Sequence, residues 1–313
     1  MATMKAIRMH GYGGPEVLSY DDVARPEPGA DEVLIRVRAA AVNPVDWKIR
    51  EGLGKEWFGH QLPFIPGCDL AGVVESAGPE VKGLQPGDAV FGFVNLKRCG
   101  AYAEFALATE GEVIRKPQSL DFVHAAAVPV GALTSWQALF DLAHLAAGQR
   151  VLIHGAAGGV GSMAVQLAKS KRAFVIGTAS ARNAQFLRGL GVDQVIDYQA
   201  VRFEEAVHDL DVVFDTIGGD TQERSLLVLK KGGVLVSTVS EPPEARCAEV
   251  GVQGAMFMVQ PNATQLAEIA QLIEGGKVRP FVETILPLRE ARQAQELSQG
   301  GHTRGKIVLE VGG

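Results

Sequence analysis

The chain has 313 residues, of which 47% are hydrophobic and 21% charged, and its 30 Lys and Arg against 36 Asp and Glu leave a net charge of −6. At roughly 150 residues per domain this predicts two domains, large enough to bury about three quarters of the unfolded surface without disulfides or metal. Intrinsic disorder is excluded, and the mild acidity argues against a protein that grips nucleic acid. Cys68, Cys99 and Cys247 are too scattered for a disulfide framework or a C-x-x-C metal site, and an odd count suits a reducing cytosol. Met-Ala-Thr-Met-Lys-Ala-Ile-Arg at the N-terminus lacks the apolar run of a signal peptide. The uncharged stretches 122–140 and 151–168 are interrupted by Pro129 or by glycines, so no membrane span is expected and the protein reads as cytoplasmic.

In chain order, residues 5–10 read as a strand ended by Gly11-Tyr12-Gly13-Gly14-Pro15. Glu32-Val33-Leu34-Ile35-Arg36-Val37-Arg38 alternates apolar and charged side chains, the period of a half-buried strand. Short runs at 70–76, 88–93 and 102–107 follow, punctuated by Gly67, Gly78, Pro86-Gly87 and Gly100. No strong helical period appears before residue 123, which predicts an antiparallel, barrel-like first domain. From residue 150 the pattern alternates: strand 151–153, helix 159–170, strand 173–178, helix 181–190, strands 194–197 and 211–215, helix 221–230, strand 234–238. Such spacing needs crossover connections and predicts an α/β domain, a doubly wound parallel sheet with helices on both faces. A helix at 265–274 and a strand at 306–311 end the chain, and the late strand suggests a return to the first domain. The apolar Ala255-Met256-Phe257-Met258-Val259, near the end of the sheet, is expected to pair across a homodimer.

The strongest chemical signal is Val151-Leu152-Ile153-His154-Gly155-Ala156-Ala157-Gly158-Gly159-Val160-Gly161. A strand, a tight turn and a helix start expose backbone N–H groups and a positive dipole end to a pyrophosphate. Gly158 and Gly159 admit the phosphates beside Val160, and Gly161 lets the helix pack. Ala156 stands where a strict G-x-G-x-x-G has its first glycine. An NAD enzyme places Asp or Glu about 20 residues further on, to accept from the ribose hydroxyls. Here the second strand runs into Ser180-Ala181-Arg182-Asn183, with no carboxylate. Hydroxyl, guanidinium and amide donate to a 2′-phosphate that a carboxylate would repel, and Tyr198 adds a phenol, so the cofactor reads as NADPH.

Asn43-Pro44-Val45-Asp46-Trp47-Lys48, Pro66-Gly67-Cys68-Asp69-Leu70-Ala71-Gly72, Pro86-Gly87-Asp88-Ala89-Val90-Phe91-Gly92, the glycine turn and the terminal Arg304-Gly305-Lys306-Ile307-Val308-Leu309 resemble the medium-chain dehydrogenase/reductase superfamily. Within it the likeness is to the zinc-independent quinone oxidoreductases, zeta-crystallin-like and including the plant-type alkenal and enone reductases. The resemblance implies a GroES-like catalytic domain, residues 1–124 and 276–313, and a Rossmann domain, 125–275. It also places Asn43, Lys48 and Thr134 around nicotinamide and substrate, with Lys48 donating to a ribose hydroxyl or to the acceptor oxygen. Trp47, Trp57 and Phe64 are candidates for an apolar pocket wall.

Where zinc alcohol dehydrogenases of this superfamily place their ligands, the chain reads Asn43, Cys68-Asp69 and Val130. One thiol beside one carboxylate does not supply the three protein ligands of a catalytic zinc, so no metal is expected. Hydride transfer to a quinone or an enone is then the favoured reaction, because the charge delocalises onto a distant oxygen that needs only donors or solvent. Two alternatives stand beside it: a 2-alkenal double-bond reductase with little quinone activity, and a non-catalytic NADPH-binding protein.

Overall fold

The computed structural model describes residues 2–312. They divide into two compact units, Met1–Val130 with Gln260–Gly276 and Pro280–Gly313, and Gly131–Val259 with Lys277–Arg279. The sequence reading put the crossings at 124/125 and 275/276. The helix Ala263–Glu274 accounts for the second difference: it buries Leu266, Ile269 and Ile273, and the Ala263 N–H donates to the Gly111 carbonyl at 3.1 Å, so it belongs to the first unit.

In the first unit the long strand Glu32–Val42 is the centre of a seven-stranded sheet. The order is Val282–Pro287, Lys306–Glu310, Glu32–Val42, Asp69–Ala77, Ala89–Phe93, Val113–Arg115, with Phe105–Thr109 also paired to Glu32–Val42. The C-terminal strand thus returns to the first unit. The sheet is not wholly antiparallel as expected: Val282–Pro287 runs parallel to Lys306–Glu310, because the helix Ala291–Gln299 between them makes a crossover. Ile7, Met9, Leu18, Val33, Ile35, Val37, Leu70, Val90, Ile307 and Leu309 pack into one core beneath it.

Two short helices, Pro44–Arg50 and Lys55–Phe58, interrupt the first 120 residues, contrary to the all-strand expectation. At seven and four residues they are too short for a hydrophobic period to register. The start of the first was nonetheless written locally: Asn43 at the N-cap, Pro44 at the first helical position, and Asp46 reaching back to the Asn43 N–H at 2.8 Å. Its buried face is Asp46, Ile49 and Arg50, spaced as one helical stripe.

The second unit is a six-stranded sheet, parallel throughout, ordered Gln194–Asp197, Phe174–Ala179, Arg150–Ile153, Leu210–Asp215, Leu229–Ser237, Gln253–Met256. In chain order this is 3-2-1-4-5-6, the doubly wound arrangement whose switch point lies beside the first strand. The expected helix 221–230 is shorter, Asp220–Ser225 with one 3-10 turn, and the strand after it starts early, at Leu229. No helix among the described residues is long and apolar enough to cross a membrane.

Candidate functional site

The turn after the first parallel strand is built by glycines in distinct roles. Gly155 takes φ +63°, the left-handed conformation that closes the turn, and the Ala156 N–H donates to the Thr178 carbonyl of the next strand at 3.1 Å. Gly158 caps the helix Gly159–Ser170, whose Ser162 N–H returns to the Gly158 carbonyl at 2.9 Å. The amides before Ser162 are the first-turn donors that a helix leaves for a ligand. Ala156 is tolerated in place of glycine because its methyl faces Gly177: a Cβ there would stand 2.9 Å from the Ala156 Cβ.

Thr134 is buried on the helix Pro129–Trp136, beside this turn. A Cβ on Gly131 would stand 2.8 Å from the Gly159 carbonyl oxygen, and the Ser135 hydroxyl lies 3.0 Å from that of Val160. His154, which sequence left unassigned to chemistry, is buried with Nδ1 3.0 Å from Thr178 Oγ1 and Nε2 2.9 Å from Ser225 Oγ. Burial lowers its pKa to about 4, so it is a neutral brace between the strand Phe174–Ala179 and the helix Asp220–Ser225. Asp215 ends the fourth strand, accepts the Ile217 and Gly218 N–H groups at 2.9 Å and is held by Ser237, which shapes the adjoining loop.

Ser180, Arg182, Asn183 and Tyr198 gather at one corner of the same sheet edge. Asn183 Nδ2 donates to Ser180 Oγ at 3.4 Å, and the Tyr198 N–H donates to the Ala179 carbonyl at 3.3 Å. Arg182 is exposed, and Tyr198 is 56% exposed.

The first unit holds the other two predicted residues. Asn43 is buried, and its side chain is engaged on both ends: Nδ2 donates to Asp69 Oδ2 at 2.9 Å, and Oδ1 accepts from Lys306 Nζ. Lys306 also donates to Asp69 Oδ2 at 3.0 Å, while Asp69 Oδ1 accepts the Val130 N–H at 2.8 Å. Burial raises the Asp69 carboxyl above its ordinary value, and the Lys306 ammonium opposes that rise only in part. Cys68 Sγ lies 3.7 Å from Asn43 Nδ2, and burial pushes its thiol well above the usual range. Lys48 is half-buried on the same helix, its Nζ 5.8 Å from the Trp47 ring centre. Of the aromatic candidates, Trp57 is 68% exposed, and Phe64 stacks on His60 at 4.2 Å against the core.

Three residues here went unread in the sequence. Arg50, 1% exposed, anchors the Lys48 helix: its guanidinium donates to the Gly13 carbonyl and to Gln295 and Gln299 Oε1, each at 3.1 Å. The Tyr102 hydroxyl donates to Asp46 Oδ2 at 2.7 Å, and Lys306 is the cation just described. Only the helical stripe Asp46, Ile49, Arg50 hinted that Arg50 points inward.

Burial raises the Asp46 carboxyl from 3.8 to about 6. A folded-state value above the unfolded one means that unfolded chains release this proton first. Its contribution is therefore full below pH 3.8 and is lost as pH rises to about 6. Asp46→Asn keeps an acceptor for the Asn43 N–H and Tyr102 but cannot ionise. In urea unfolding at pH 4 and pH 7, the variant is expected to gain about 2 kcal/mol on the wild type across that interval.

Comparison with known proteins decides the family. A model described as the alcohol dehydrogenase GroES-like domain matches residues 29–118, and one described as zinc-binding dehydrogenase matches 190–309. The solved quinone oxidoreductase of Coxiella burnetii superposes with a TM-score of 0.94 at 36% identity, covering 99% of this chain and 100% of that one. The quinone oxidoreductase of Mus musculus is 33% identical over 98% of this chain and 97% of its own. The chloroplastic NADPH-dependent alkenal/one oxidoreductase of Arabidopsis thaliana is 37% identical over 98% of this chain and 79% of its own. The chain is a medium-chain dehydrogenase/reductase. It belongs to the quinone oxidoreductase-like members of that family.

The family model's description implies zinc, and the residues of this medium-chain reductase do not fit it. Asn43, Cys68 and Asp69 do converge on one buried point, but the position beside Asp69 is taken by the Lys306 ammonium. Among the described residues no group of three His, Cys, Asp or Glu side chains is placed to hold a metal ion.

Proposed function

We propose that this medium-chain reductase takes NADPH and delivers hydride to quinones or α,β-unsaturated carbonyls without zinc. The observation that carries the cofactor reading is the glycine turn at the switch point of a 3-2-1-4-5-6 sheet, with Ser180 and Arg182 and no carboxylate at the end of the second strand and Tyr198 just past the third. The chemistry of that donor set fits a dinucleotide with a 2′-phosphate, and the donor set around Asp69 fits no Lewis acid. Oxidising a simple alcohol calls for such an acid, whereas a conjugated acceptor spreads its charge onto a remote oxygen.

Bound NADPH supplies the hydride. The chain's own part is to hold the pyrophosphate on the amides of Gly159, Val160 and Gly161, to meet the 2′-phosphate with Arg182 and Tyr198, and to offer the Lys48 ammonium to a ribose hydroxyl or the acceptor oxygen. Asn43 acts behind them, since both ends of its amide are engaged within the first unit. A second copy of the chain would pair at the outer strand Gln253–Met256, giving a homodimer.

The test is oxidation of NADPH, followed by its near-ultraviolet absorbance, with panels of quinones and of 2-alkenals, before and after dialysis against a strong chelator. Turnover that survives chelation is expected. Absence of turnover with every acceptor, or turnover lost on chelation and restored by zinc, would overturn the reading. Lys48→Ala is expected to lower kcat/KM by about 10- to 150-fold, and Lys48→Arg to recover only part of it because the guanidinium is planar and larger. Unaltered kinetics in Lys48→Ala would make this lysine a bystander.

A further inference from the structure

The buried centre around Asp69 has a composition that the reductase chemistry does not call for. A fully buried carboxylate carries three donors: the Val130 N–H on Oδ1, and Asn43 Nδ2 and Lys306 Nζ on Oδ2, at 2.8, 2.9 and 3.0 Å. Lys306 is only 5% exposed, and its ammonium is shared with Asn43 Oδ1. Its approach is fixed by the chain entering the last strand: Gly305 turns at φ +67°, where a Cβ would stand 2.3 Å from the Phe281 carbonyl oxygen, and that oxygen accepts the Lys306 N–H at 2.8 Å. A lysine buried this deeply is rare unless its charge is matched.

We propose that the Lys306 ammonium is the built-in cation of this centre, neutralising Asp69, orienting the Asn43 amide and keeping divalent ions off the Cys68–Asp69 donor pair. A zinc or cobalt ion bound to Asp69 Oδ2 would compete for the place that the ammonium holds there and meet its charge. With Lys306 removed, Asn43 Oδ1 and Asp69 Oδ2 lose the cation they share, and Cys68 Sγ, 3.7 Å from Nδ2 of the same Asn43 amide, is the third donor within reach of that vacated centre once the amide turns. Lys306 is thus a positioning residue. Metal content, unlike turnover, does not depend on which cofactor or acceptor the protein takes.

The experiment is Lys306→Met, a neutral side chain of similar length, incubated with Co²⁺ alongside wild type and then freed of loose metal by gel filtration. The variant is expected to retain one cobalt per chain, with a thiolate charge-transfer band that Cys68→Ser in the same background removes. Wild type is expected to retain none. Cobalt retained equally by wild type, or by neither protein, overturns the proposal. If Lys306→Met does not fold, the charge pairing is read from Asp69→Asn and from Asp69→Asn/Lys306→Met. Asp69→Asn, which leaves the ammonium unmatched, is expected to shift the unfolding equilibrium by about 100-fold or more, and the double variant to recover to within about tenfold of wild type. A double variant no more stable than Asp69→Asn overturns the proposal as well.

Discussion

Gly161→Ala is expected to destabilise the cofactor-free protein by about 3 kcal/mol and to weaken cofactor binding by at least about 100-fold, whereas Gly158→Ala should leave the fold intact. The two glycines stand three residues apart in one turn, yet their surroundings differ. A Cβ on Gly161 would stand 2.3 Å from the Gly155 carbonyl oxygen and 2.7 Å from the Ala156 Cα, both backbone atoms of the turn itself. Either the turn opens or the helix Gly159–Ser170 moves off it, and the first-turn amides proposed to hold the pyrophosphate move too. A Cβ on Gly158 would meet only the Gly155 oxygen, at 3.4 Å, an ordinary contact. Helix propensity taken alone has the opposite sign for Gly161, since alanine in a helix is favoured over glycine by about 1 kcal/mol. Thermal or urea unfolding without cofactor, paired with a fluorescence titration of NADPH, separates the two effects. Equal stability of Gly161→Ala and wild type would show that the turn yields where the geometry says it cannot.

Arg182→Ala should weaken NADPH by about 10- to 100-fold, the worth of one charge-assisted hydrogen bond, and hardly touch NADH, which has no 2′-phosphate. Ser180→Asp should go further and reverse the preference, because a carboxylate repels the phosphate and accepts from the ribose hydroxyls of NADH. The structure adds a reason for the choice of Ser180: its hydroxyl meets Asn183 Nδ2 at 3.4 Å, and Tyr198 is tied to the same strand end through the Ala179 carbonyl. The measurement is the ratio of kcat/KM for NADPH and NADH in wild type and both variants. Equal losses with both cofactors would mean that this corner does not read the phosphate.

The parallel sheet was legible because each of its units declares itself locally. An apolar strand, a glycine turn and an amphipathic helix recur within a few tens of residues, and the helix Gly159–Ser170 and the strand Gln194–Asp197 fall where periodicity predicts them. The missing acid after the second strand was equally plain, since it depends only on which residues follow Thr178. The first unit was read less well. Its seven-residue helix at Pro44 lacks a period, and the parallel pairing of Val282–Pro287 with Lys306–Glu310 depends on a crossover helix, Ala291–Gln299, rich in polar residues.

What the sequence by itself determined, then, is the order of elements, the glycine turn and the identity of the groups that follow the second and third strands, all set by neighbours in the chain. What only the tertiary structure decided is which charges are buried and with whom. Lys306 meets Asp69 and Asn43 across 237 and 263 residues, and Arg50 meets Gln295 across 245. No period or spacing encodes such pairs, and composition points the other way, because lysine and arginine are ordinarily exposed. They go inside here because each finds several acceptors already held in place by the fold. That condition exists only once the sheet carrying Asp69, Asn43 and Lys306 has closed, and it makes the centre at Asp69 a property of the fold rather than of any segment.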